Sequence, residues 1–200
     1  MRGGSSSPVR ISIIQTVNAT EAQEYFILVY DCGGDSTVKS YILEQKESLI
    51  RSGFSRIIGL RDLYPLPANG YTRLFTALNS VVEPRAHIAF VVAAMETEAW
   101  FIAEATHFQR LHNTLTPNNI LTTLGVDLST INVEAIPHPS ELLHNIYKLA
   151  GFSYLSGKNK KSEVRVRRTC RNLDFGDIYL RLPAKLPSLK SLIDEIDNCF

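Results

Sequence analysis

The chain has 200 residues, 44% of them hydrophobic, which is enough apolar material for one well-buried core in a single domain or a domain with an appendage. A formal net charge of +1 excludes a global attraction to nucleic acid or to an anionic membrane, so electrostatic steering must come from local patches. The longest apolar run, "AHIAFVVAAM", is about half of the ~20 residues a membrane-spanning helix needs, and three widely spaced cysteines without a CxxC argue against a disulfide framework or a zinc site. Together these features fit a reducing cytoplasm and no membrane partner.

The opening "MRGGSSSPVR" lacks an apolar signal core, and residues 1–8 read as a flexible leader or a cloning remnant. Three short runs rich in β-branched or aromatic residues follow: "VRISIIQTV" at 9–17, "YFILVYD" at 25–31 and "SRIIGL" at 55–60. A fourth, "AHIAFVVAA" at 86–94, is almost continuously apolar. Such runs suit strands buried on both faces of a parallel or mixed sheet. Between the second and third, Val38, Tyr41, Ile42, Leu49 and Ile50 recur at helical spacing, and Gly53 is placed to cap that helix. Strand, helix and strand within about 35 residues have the size of a βαβ unit.

"LYPLPANG" after Asp62 reads as a proline-rich loop, and "YTRLFTALNSV" as a short helix before the fourth strand. From Thr97 the pattern turns helical: "TEAWFIAEATHFQRL", "TPNNILTTLG" with Pro117 at a favoured first position, and "PSELLHNIYKLAG". The segment 157–171 is strongly basic, and the chain closes with an amphipathic helix carrying Leu189, Leu192, Ile193 and Ile196 on one face. The expected fold is an α/β core over 9–105, a central sheet flanked by helices, with a mostly helical region over 106–200 packed on it.

Open α/β sheets bind ligands at the carboxyl ends of their strands. Three expected strands end in acids there: Asp31 with Asp35 just beyond, Asp62, and Glu96 with Glu98. Crowded carboxylates raise one another's pKa, and a hard divalent cation removes that cost. Asp62, Glu96 and Glu98 are therefore candidate ligands for Mg²⁺ or Mn²⁺ and candidate catalytic groups, with Asp31 and Asp35 as auxiliary ligands. A pair of such ions can activate water against a phosphodiester. The competing reading is local: Asp at a strand end often turns the chain or caps a helix, and Glu98 in a first helical turn is favoured by the dipole alone.

The turn "DCGGDST" poses the same choice. Gly33 and Gly34 permit a tight turn, and Ser36 or Thr37 can cap the helix that follows. The same glycine amides and Ser36 could hold a phosphate, although neither GxGxxG nor GxxxxGK[ST] is present. Cys32 is either a thiol activated at a helix start or a small buried residue. The five histidines show neither HxH nor HExxH spacing and read as structural, and Trp100 reads as a core anchor. Lys158, Lys160, Lys161, Arg165, Arg167, Arg168 and Arg171 form either a solvated loop or hairpin or a patch that contacts nucleic-acid phosphates.

"VYDCGGDSTVKSYI" followed by "GFSRIIGLRDLYP" resembles the middle of a Toprim domain, the fold shared by topoisomerases, primases and OLD-family nucleases. "HIAFVVAAMETEAWFIAE" and "IPHPSELLHNIYKLAG" are similar to a Toprim-related prokaryotic family with an ME-x-EAW box, the most specific part of a resemblance that spans most of 25–197. It implies a cytoplasmic role in defence against phage or mobile elements, with Mg²⁺-dependent nuclease chemistry on DNA or RNA, and in some members an ABC-type ATPase as partner. The chain departs from the pattern in two places. No glutamate directly ends the run 9–17, where Glu21 and Glu24 are the nearest acids, and the DxD motif reads Asp62-Leu63-Tyr64. Two readings follow: a nuclease completed by other acids, or a catalytically degenerate module that grips a protein partner such as an ATPase, a phage component or, as an oligomer, its own kind.

Overall fold

The computed structural model describes residues 27–156, 160, 161 and 163–199, so the strand expected at 9–17 lies outside the described residues. The first helix, α1 (Val38–Arg51), buries Val38 and Ile42, one turn apart. It ends as its sequence predicts. Gly53 takes a left-handed φ of 91°, its amide donates to Ile50 O at 3.0 Å, and the Phe54 amide donates to Leu49 O at 3.1 Å. That pair of reversed bonds satisfies carbonyls the helix would otherwise leave open.

The chain then enters β1 (Arg56–Asp62), which pairs in parallel with β2 (His87–Ala93) in a register running from Arg56 opposite His87 to Asp62 opposite Ala93. The connection passes through a single 3₁₀ turn and α2 (Tyr71–Leu78). Asn79 closes α2 and serves the sheet as well, accepting from the Phe90 amide at 3.1 Å and donating to the Phe90 carbonyl at 3.3 Å. One side-chain amide thus pairs a stretch of β2 backbone that faces away from β1. Gly59 in the middle of β1 lets α1 and β2 close in: a Cβ there would sit 2.7 Å from Ile42 Cδ1 and 2.8 Å from Phe90 Cδ1.

The second expected strand is corrected by the structure. Residues 27–31 form no strand, and among the described residues the parallel sheet has two members, β1 and β2. Ile27 and Val29 are 74% and 63% exposed, so among the described residues nothing covers a face of the run to favour a sheet position. What stands is an α/β unit with a short parallel sheet and a helix-rich C-terminal half.

That half contains α3 (Glu98–Ala103), α4 (His107–Leu111), α5 (Pro117–Leu124), α6 (Pro139–Lys148), α7 (Glu163–Cys170), α8 (Phe175–Leu180) and α9 (Pro187–Asp197). A minimal antiparallel pair, β3 (Leu155–Ser156) with β4 (Lys160–Lys161), precedes α7. The stretch expected as one helix from Thr97 is split into α3 and α4, because Glu104 leaves helical geometry and turns its side chain inward. α5 follows its signals closely: Thr116 Oγ1 accepts from the Asn119 amide at 3.1 Å, Pro117 opens the first turn and Gly125 closes it at φ 68°. The basic segment expected as a loop or hairpin is largely α7.

Two apolar clusters meet at the sheet. The smaller joins Val38, Ile42, Ile57, Leu78, Phe90 and Val92, while the larger gathers Trp100, Phe108, Leu143, Ile146, Tyr147, Tyr154 and Leu189. Trp100 anchors the second: its indole N–H donates to Ser188 Oγ at 2.9 Å, joining α3 to the start of α9. At the other end of α9, Glu195 Oε2 pairs with His87 Nε2 at 2.8 Å and lies 3.6 Å from the Arg56 guanidinium, which fixes the helix to the first residues of both strands. Among the described residues no helix is long and apolar enough to cross a membrane.

Candidate functional site

The carboxyl end of β1 opens onto a groove of about 510 Å³, lined by Tyr30, Asp31, Asp35, Leu60, Arg61, Asp62 and Thr97 among others. Its near wall is the glycine turn. Gly33 and Gly34 have φ values of 76° and 153°, which other residues rarely adopt, and no atom within 4 Å would crowd a side chain there. The backbone conformation, not a close neighbour, is what calls for glycine. The turn is held by its own side chains: Asp31 Oδ1 accepts from the Gly33 amide at 2.8 Å, and Thr37 Oγ1 lies 2.6 Å from both Cys32 O and Gly34 O.

Two further carboxylates link the wall to the floor. Asp35 Oδ1 accepts from the Asp62 amide at 2.8 Å, and Asp62 Oδ1 accepts from the Thr97 amide at 2.9 Å. The backbone amide of Asp62 faces away from β2, so Asp35 occupies the place a neighbouring strand would take. The result is a relay of carboxylate-to-amide bonds from the start of α1, across the end of β1, to the start of α3. Asp31, Asp35 and Asp62 therefore share one groove, opposed locally by Arg61, whose Nε donates to Asp62 O at 3.2 Å.

Glu96 and Glu98 do not join them. Met95, at a left-handed φ of 59°, turns the chain out of β2, and the two glutamates enter the interior. Glu96, 7% exposed, accepts from the Ser140 amide at 2.7 Å and so places a carboxylate on the N-terminal turn of α6, where the helix dipole favours it. Glu98, 1% exposed, accepts from the Tyr154 hydroxyl at 2.6 Å. Burial, reinforced by the Glu98 charge, pushes the Tyr154 phenol far above its usual range.

This arrangement bears directly on the expected Mg²⁺ or Mn²⁺. Both ions want several hard oxygens around one centre, and Mg²⁺ demands them in near-octahedral geometry. Asp62 faces the groove while Glu96 and Glu98 are tied to Ser140 and Tyr154, so the expected trio does not converge. Among the described residues no group of three His, Cys, Asp or Glu side chains is placed to hold an ion. Among the described residues, Asp62, Glu96 and Glu98 are not gathered as the metal centre implied by the Toprim resemblance would gather them.

The phosphate reading of Gly33, Gly34 and Ser36 meets an electrostatic objection. The Gly33 amide is already engaged by Asp31, and Asp31 and Asp35 would repel an anion approaching the turn. Ser36 is exposed. Burial, aided by the Asp31 charge, pushes the Cys32 thiol pKa up rather than down.

The basic segment divides into inward and outward members. Arg165 Nη1 donates to Leu155 O, while Arg168 Nη2 donates to Ser153 O at 2.7 Å and stacks its guanidinium 4.7 Å over the Phe152 ring. Arg165 thereby fastens α7 to β3, and Arg168 fastens it to the segment leading into β3. Arg167 and Arg171 are exposed, Lys160 and Lys161 form β4, and Lys158 lies outside the described residues.

Sequence reasoning did not single out Thr97, whose amide receives the Asp62 carboxylate, or Tyr30, whose hydroxyl bonds to that of Tyr41 across rings 4.8 Å apart. The hydrogen bond to Tyr30, with lesser help from desolvation, pushes the Tyr41 phenol up to about 12. Neither residue carries a motif; only the folded positions of α1 and α3 bring them to the groove. No family model, no curated protein and no solved structure matches the chain.

Proposed function

We propose that this chain is a binding module: a Toprim-like α/β unit whose catalytic centre has degenerated and which grips a partner protein at the acidic groove. The observation that carries this reading is the engagement of Glu96 with α6 and of Glu98 with Tyr154. Two carboxylates that phosphodiester chemistry would need at the strand ends instead hold the helical half together. The groove keeps Asp31, Asp35 and Asp62 around Arg61, a local excess of negative charge that favours a lysine- or arginine-bearing segment of a partner. By the resemblance, the partner would be an ABC-type ATPase or a phage component, in cytoplasmic defence.

Affinity capture from the native host tests this, comparing wild type with the double variant Asp31→Asn/Asp35→Asn. Asparagine keeps an oxygen able to accept the Gly33 and Asp62 amides, so the fold is retained while two charges are removed. A stoichiometric partner held at low salt, weakened several-fold by salt or by the double variant, is the expected result. A partner whose retention ignores both changes would place the contact elsewhere and refute the groove.

A second reading is favoured by the exposure of Arg167 on α7 and of Arg171 just beyond its end, a basic surface that nucleic acid could meet. Under that reading a duplex or single-stranded probe binds with a steep salt dependence, and Arg167→Ala/Arg171→Ala lowers the salt slope by about 2.

A further inference from the structure

We draw no further inference here: the strongest candidate, the exposed apolar surface formed by Ile27 and Val29 in the run leading into the groove and by Leu60 on its wall, carries nothing because nothing in the structure shows what covers it.

Discussion

His107 shows how much a single side chain is asked to do in this fold. It is fully buried, with Nδ1 2.6 Å from Glu104 O and Nε2 3.0 Å from the Tyr147 hydroxyl. A carbonyl only accepts, so Nδ1 must carry the proton, while Nε2 faces the oxygen of the Tyr147 hydroxyl, which donates to Thr169 Oγ1 at 3.0 Å. Burial outweighs the nearby Glu104 carbonyl and carboxylate and lowers the His107 pKa to about 4. The sign follows. A histidine depressed from 6.5 in the unfolded chain to about 4 in the fold contributes stability above pH 6.5, and this is lost as pH falls toward 4. The loss amounts to about 3 kcal/mol at most. Nitrogen-15 spectra of the imidazole should show the neutral Nδ1–H tautomer at pH 6, whereas a midpoint near 6.5 would contradict the buried assignment.

Gly59 is the second position where one atom decides. Gly59→Ala places its new methyl against Ile42 and Phe90, an overpacking expected to cost about 1–3 kcal/mol in urea unfolding. Ile42→Val removes the Cδ1 atom in the way. The double variant should therefore be more stable than the sum of the two single losses, and strict additivity would mean that the clash is relieved elsewhere.

At the scale of elements, the helices were the most legible part of the sequence, because their signals are local. Thr116, Pro117 and Gly125 frame α5, and Gly53 with Phe54 closes α1, without help from distant residues. The run 25–31 shows the opposite case. A buried strand and an exposed apolar stretch read alike in sequence, and among the described residues the exposure of Ile27 and Val29 tells them apart. The break between α3 and α4 was also hidden, since Glu104 turns inward to meet Arg110 Nη2 at 2.8 Å and the Asp174 amide at 3.2 Å. The last of these partners is 70 positions away. The site divides in the same manner. Asp62 sits at a strand end as its position suggested, but Asp31 and Asp35 reach it from the glycine turn rather than from a strand, and Glu96 and Glu98 depend on Ser140 and Tyr154, 44 and 56 positions along the chain.

Those long-range caps have a testable cost. Glu96→Ala leaves the Ser140 amide buried without its acceptor and removes a charge from the first turn of α6, which should destabilise the protein by about 1–3 kcal/mol. Glu96→Gln keeps an acceptor oxygen and should lose less. If both variants unfold at the wild-type denaturant concentration, Glu96 is not the structural cap described above, and its carboxylate regains standing as a ligand.

Over the whole molecule, the parallel pair β1–β2 stands between two apolar clusters, and hydrogen-bonded acids join the parts. Asp35 and Asp62 connect α1, β1 and α3; Glu96 reaches α6; Glu195 ties α9 back to both strands. Glu96 and Glu98 thereby serve the architecture, and Asp31, Asp35 and Asp62 line the groove with Arg61. Calorimetric titration of Mg²⁺ and Mn²⁺ into wild type and Asp62→Ala, with DNA and RNA cleavage followed in the same samples, tests that division most directly. The account predicts no saturable ion binding at millimolar concentrations and no metal-dependent cleavage by either protein. Saturable binding and cleavage by the wild type, both lost in Asp62→Ala, would contradict it.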